Sequence, residues 1–175
     1  MGVDTEPKTD GGPISGYASP EERPPLGSYA AFAALFNLGF AGAIAAARAS
    51  GRELPERVGA GDVVLVGTAS HKLSRLIAKD KVMCFARAPF TRYEEQGGPA
   101  ELEESARGTG LQRAIGEMVA CPYCLGMWAS AGFHVGLLYA PRLTRLVAST
   151  FTALTISDFL QIAYKAAEDK GLGGS

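Results

Sequence analysis

Residues 28–47, SYAAFAALFNLGFAGAIAAA, run for twenty positions without a charge, and this limits the available folds more than any other feature. As a helix rising about 1.5 Å per residue the run is ~30 Å long, the thickness of a bilayer's hydrocarbon core. A soluble helix of this composition would have to be buried on every face. A secretory signal is the competing reading, but the preceding tail is acidic and the run exceeds the usual apolar region of such signals. Residues 1–27 hold five of the ten prolines and five acids against two bases, which predicts a disordered acidic tail.

Three further segments extend the pattern. Residues 63–78, VVLVGTASHKLSRLIA, are apolar in their first half and carry His71, Lys72 and Arg75 in the second. Charges at mid-bilayer cost about 2.5–3.5 kcal/mol each, less when long basic side chains near one end reach water. Residues 122–140 form nineteen positions without a formal charge, ~28 Å of helix. A last apolar segment, 146–164, is interrupted by Asp158. Between the second and third segments lies the longest polar stretch, 79–110. Leu111, Ile115, Met118 and Val119 then recur at helical spacing, predicting a short amphipathic helix at the membrane surface.

The expected fold class is all-α: an integral membrane helical bundle of four transmembrane helices (about 28–47, 62–79, 122–140 and 145–164) plus that interfacial helix. The membrane domain spans 28–165, with a cytoplasmic loop at 80–121 and a flexible C-terminus at 166–175. Placing the loop inside puts ten Lys and Arg on that side against five on the other, so both termini are expected in the cytoplasm. The partner is the lipid bilayer, with membrane proteins or a second copy meeting small-residue helix faces such as the Gly132–Gly136 row. A net charge of −1 gives no reason to expect nucleic acid. The GTG at 108–110 lacks the strand and the Lys of a phosphate-binding loop, so no nucleotide is expected. No HExxH, Ser–His–Asp or paired-carboxylate arrangement is visible, and no cofactor is expected.

The motif closest to chemistry is Cys121-Pro-Tyr-Cys124. A thioredoxin-like box follows a strand, whereas this one joins an amphipathic helix to an apolar one. Pro122 suits the first helical position, which makes Cys121 the N-cap and exposes its thiol to the positive end of the helix dipole. Thiol redox chemistry would need a second cysteine pair to relay electrons, and only Cys84 remains. A closed zinc site needs four ligands, for which Cys84 and His71 are the remaining candidates. Two small packed thiols are the third reading. In the polar stretch, Arg87 and Arg92 within RAPFTRY suit lipid phosphates, and the ELEES run (101–105) reads as a solvated helix face. Asp158, inside an apolar helix, needs a partner. Helices of alternating direction would bring it level with the basic end of the second segment, where Arg75 is the expected mate.

Four blocks taken together, KLSRLIAKDKV, RAPFTRYE, GTGLQRAIGEMVACPYCLGMW and SDFLQIAY, resemble domain-of-unknown-function family 1360, bacterial membrane proteins that include a sporulation-associated member. The resemblance covers roughly residues 62–164. It departs at Lys72, where members usually carry Arg, and at Tyr123, often Phe; the second departure makes the likeness of Cys-Pro-Tyr-Cys to a glutaredoxin's disulfide-exchange box incidental. The resemblance implies a multi-pass membrane protein and brings no established activity with it.

Overall fold

A computed structural model describes residues 17–19 and 24–172. Most of the expected disordered tail, and residues 173–175, lie outside the described residues. The elements, in order, are α1 (Leu26–Ala49), α2 (Ala60–Ala78), a 3-10 turn (Lys81–Met83), α3 (Cys84–Arg87), β1 (Thr91–Gln96), β2 (Leu102–Ala106), α4 (Gly110–Val119), α5 (Pro122–Tyr139) and α6 (Pro141–Leu172).

Local chemistry sets the helix ends. After α1, Gly51 takes a φ of 76°. Its N–H donates to Arg48 O, and that of Arg52 donates to Ala47 O, both at 3.0 Å. This is the glycine-terminated motif that satisfies a helix's last carbonyls. At α5 the Cys124 N–H donates to Cys121 Sγ at 3.2 Å, with Pro122 in the first turn. Cys121 is therefore the N-cap, as its sequence context indicates. Pro141 forces Ala140 out of helical geometry (φ −144°, ψ 64°) and separates α5 from α6. Helix α6 then continues through Leu172, so residues 166–172 are helical where a flexible end was expected.

The long helices alternate in direction. Tyr29 of α1 meets Glu117 just before α5, Phe36 meets Trp128, and Tyr139 donates to Ala43 O, so α1 and α5 run parallel. Helices α2 and α6 are likewise parallel, through Asp62–Arg145, Thr152 on Leu65 O and Lys72–Asp158. Helices α5 and α6 form an antiparallel hairpin. Its close approach depends on Gly136, where an added Cβ would lie 2.6 Å from Thr144 Oγ1. The core joins Val66 and Ala69 of α2, Phe133 of α5 and Ala148 of α6, with Leu65, Leu73, Leu137 and Phe151 packed around them.

The fold differs from the expected one in two respects. It is not all-α: 91–106 form an antiparallel hairpin, with Thr91 opposite Ala106 and a register shift between Tyr93 and Glu95. Among the described residues only two helices, α1 and α6, are long and apolar enough to cross a membrane, not four. Helix α2 falls short because Asp62, His71, Lys72 and Arg75 interrupt it. Helix α5 is only 18 residues and spends them partly on Pro122, Tyr123, Ser130, His134 and glycines. The expected interfacial helix exists as α4, but it packs on the hairpin. An added Cβ at Gly116 would lie 2.3 Å from Phe90 O and 3.0 Å from Ala106 Cβ, so only glycine admits this approach.

Candidate functional site

The last two turns of α2 place Lys72, Arg75 and Lys79 on one face, by their spacing of three and four. Each finds a carboxylate. Lys72 Nζ lies 2.8 Å from Asp158 Oδ2 of α6. Arg75 grips Glu101 through two bonds from Nη2, at 2.5 and 2.6 Å. Lys79 Nζ meets Glu103 at 2.6 Å. A fourth pair, Arg87 with Glu104, is the most enclosed, the side chains being 1% and 5% exposed. Arg87 Nη1 also donates to Ile77 O at 2.7 Å and to Asp80 O at 3.1 Å, while Nη2 is buried without a partner among the described residues. Backbone bonds fasten the same junction: Leu102 N–H to Lys79 O at 2.8 Å, and Lys81 N–H to Ala100 O at 2.9 Å. Burial pushes the Asp80 carboxyl above its ordinary value, with Lys72 opposing and Glu101 reinforcing.

This layer relocates several expected residues. ELEES is not a solvated helix face. It is largely strand β2, and three of its acids each hold one base of α2 or α3. Asp158 pairs with Lys72 rather than Arg75, one turn earlier on the same face. Arg87 is buried, so it is not a lipid-headgroup contact in this fold, whereas Arg92 lies exposed on β1. Val82 and Phe85 are among the exposed apolar side chains here. His71 points outward from α2. Cys84, Cys121 and Cys124 are all free thiols, and among the described residues no three His, Cys, Asp or Glu side chains gather as metal ligands would.

At the opposite end of the helices lies a cleft of about 660 Å³ that sequence reasoning missed. Its floor includes Phe40 and Ile44 of α1 and Leu137 and Leu138 of α5. Its rim is the connector carrying Glu53, Glu56 and Arg57. In its wall Arg145 clamps Asp62 through two bonds, at 2.9 and 2.8 Å. His134 Nδ1 lies 2.8 Å from Ser130 O. A carbonyl can only accept, so Nδ1 carries a proton and donates here. The signal available in the sequence was the charge-dense connector RELPERVGAGD, flanked on both sides by apolar helices.

Comparison with known proteins bears on the charged layer directly. The family model described as a protein of unknown function, DUF1360, matches residues 65–164, from early α2 to near the end of the apolar part of α6. The chain belongs to this family. A sporulation protein of Bacillus subtilis (strain 168), YjcA, is 35% identical over 76 residues, covering 42% of this chain and 64% of the relative. The UPF0713 protein YngL of the same organism is 31% identical over 83 residues, covering 46% and 60%. The chain thus spans a little under two thirds of the length of the curated relatives it matches. No solved structure matches it. All four ion pairs of the layer fall inside the family region, while α1 and the rim of the cleft fall before it.

Proposed function

We propose that this DUF1360 chain is a structural or interaction protein of the bacterial cytoplasmic membrane, held there by the lipid-facing surfaces of α1 and α6, with α2 and α5 packed against them and its hairpin head on the cytoplasmic side. The observation that carries the reading is the inverted surface of α6. Its buried positions are Thr144, Ala148 and Thr155, whereas Leu146, Phe159, Leu160 and Ile162 are more than 60% exposed. Helix α1 repeats the pattern, with Ala47 buried and Leu38 73% exposed. In water this arrangement leaves large apolar side chains unburied along two helices. In lipid it is the expected one, because small residues allow close packing while apolar ones face acyl chains. Orientation follows the excess of Lys and Arg on the head side, which puts both termini in the cytoplasm. The sporulation name of one relative extends the reading to a sporulation- or envelope-related role.

Carbonate-washed membranes test the insertion, since a chain with two lipid-facing helices pellets with them; recovery as a soluble monomer without detergent would overturn the reading. Impermeant thiol probes applied to intact cells test orientation. Cys121 and Cys124 lie at the head end and stay unlabelled in the proposed topology.

A further inference from the structure

The cleft opposite the head has no assigned role, and its chemistry is specific. Asp62 and Arg145 satisfy each other, which leaves three charged groups on the rim: Glu53, Glu56 and Arg57. None has a partner among the described residues. Below them the floor is apolar, formed by Phe40, Ile44, Leu137 and Leu138. Two free carboxylates beside one free guanidinium disfavour a simple anion, and a simple cation would leave Arg57 unanswered. A ligand carrying both charges on an apolar body satisfies every group.

We infer that this cleft binds a zwitterionic phospholipid whose headgroup carries a primary ammonium: phosphate on Arg57, ammonium between Glu53 and Glu56, acyl chain along the apolar floor. Arginine's planar fork suits phosphate oxygens. An ammonium, with three donors, suits two carboxylates. A trimethylammonium headgroup needs a cage of Trp, Tyr or Phe rings, but among the described residues lining the cleft only Phe40 is of that kind. The nearby Tyr139 ring is already covered by Arg52, whose guanidinium carbon sits 5.1 Å from its centroid. Placement agrees as well. The cleft opens beside the first turns of α2 and α6, level with the start of the exposed apolar surface at Leu143 and Leu146. A lipid headgroup lies at that depth when α6 spans. The charged rim and the α1 part of the floor precede residue 65, whereas His134, Leu137, Leu138 and Arg145 of the same cleft lie inside the family-matched region.

The inference rests on the membrane reading, and its test separates the two. The full chain, extracted in mild detergent, is exchanged with dioleoyl phosphatidylethanolamine, phosphatidylcholine or phosphatidylglycerol, and retained lipid is measured by native mass spectrometry. Phosphatidylethanolamine should be retained in preference to both others. Arg57→Gln and the double variant Glu53→Gln/Glu56→Gln should each cut its retention by about tenfold, as loss of a charged hydrogen bond implies. These rim residues are exposed, so an unchanged melting temperature without added lipid shows the variants are folded. Equal retention of the three lipids, or retention untouched by either variant, overturns the inference. Equal binding of free O-phosphoethanolamine overturns the lipid assignment, since the apolar floor would then contribute nothing. Pelleting with carbonate-washed membranes but no headgroup preference sinks this inference alone; failure to pellet sinks the membrane reading beneath it.

Discussion

The helical body and the head are held together by different means. In the body, contact faces are built from Ala69, Ser70, Ala148, Thr144 and Thr155, and helices approach until side-chain size is the limit. In the head, Arg75, Lys79 and Arg87 reach across to Glu101, Glu103 and Glu104, so that complementary charge sets the geometry. Helix α2 belongs to both, small-faced through Ser70 and basic from Lys72 onward. Under the membrane reading proposed above, the contrast follows from the surroundings. An apolar solvent gives helices no hydrophobic reason to associate, so close packing must do it. At the surface a polar segment can use ion pairs, provided burial does not strand a charge. The body should therefore be sensitive to size and the head to charge.

The largest effect expected is at Arg87. Removing one member of a buried pair costs about 3–5 kcal/mol, because the other charge is left uncompensated. Arg87→Ala or Glu104→Ala should therefore lower the thermal midpoint strongly and reduce accumulation in the membrane. Replacing both, as Arg87→Met with Glu104→Leu, should restore much of the loss. If Arg87→Ala costs no more than Arg92→Ala on the exposed strand, charge does not organise the head.

Size provides the matching test. Gly116→Ala pushes a Cβ against the Phe90 carbonyl, 2.3 Å away, and backbone cannot rotate aside. Overpacking of this kind costs about 1–3 kcal/mol. In the body, Gly136→Ala meets the Thr144 side chain instead. A second change, Thr144→Ala, should rescue Gly136→Ala, whereas no single side-chain truncation should fully rescue Gly116→Ala. Thermal melts of the two single variants, of Gly136→Ala with Thr144→Ala and of Gly116→Ala with Ala106→Gly decide the matter; full rescue at both glycines would erase the distinction.

The sequence revealed the body better than the head for a physical reason. Uncharged length and helical spacing are local, so α1, α5 and the apolar part of α6 could be read directly, as could the cap that Cys121 and Pro122 build. Whether such a helix spans is less local, because His134, Tyr123 and the glycines of α5 dilute its apolar character without a single formal charge. The head depends on contacts distant in sequence. Nothing in ELEES itself announces that Glu101 will find Arg75, or Glu104 Arg87, 26 and 17 residues away. Without those partners the run looks like a solvated surface. The same reasoning found that Asp158 needs a base on α2 but not which one, since Lys72 and Arg75 lie one turn apart and helix rotation decides between them.

Asp158 spans the boundary between the two regimes, and its effect should be intermediate. The pair is partly exposed, 17% for Lys72 and 47% for Asp158, and in water such pairs contribute about 0–1 kcal/mol. Asp158→Asn should therefore lower the midpoint modestly, more than a neutral surface change but far less than Arg87→Ala. Exchanging the charges, Asp158→Lys with Lys72→Asp, should recover the loss, while Asp158→Arg with Arg75→Asp should not, because Arg75 is committed to Glu101. Equal recovery by both exchanges would show that the region senses net charge rather than pairing.

The smallest expected effect is the pH dependence contributed by Asp80, the residue that joins α2 to the head. Burial raises its carboxyl above the ordinary 3.8, Lys72 and Arg75 pulling down and Glu101 and Asp158 pushing up. Below 3.8 the group is protonated in folded and unfolded chains alike and favours neither. As pH climbs past that value the unfolded chain releases its proton first, so ionisation favours unfolding until the raised folded value is passed. Asp80 should thus subtract stability as pH rises through this window, the reverse of a carboxylate held by an ion pair. Asp80→Asn removes the titration. The variant should match the parent at the acid end, gain on it across the window, and keep a constant advantage toward neutral pH. Thermal midpoints of parent and variant, taken in one detergent from acid to neutral pH, give the difference directly. Parallel curves would mean that the Asp80 carboxyl titrates alike in both states, and that the junction with the head is open to water despite the four ion pairs around it.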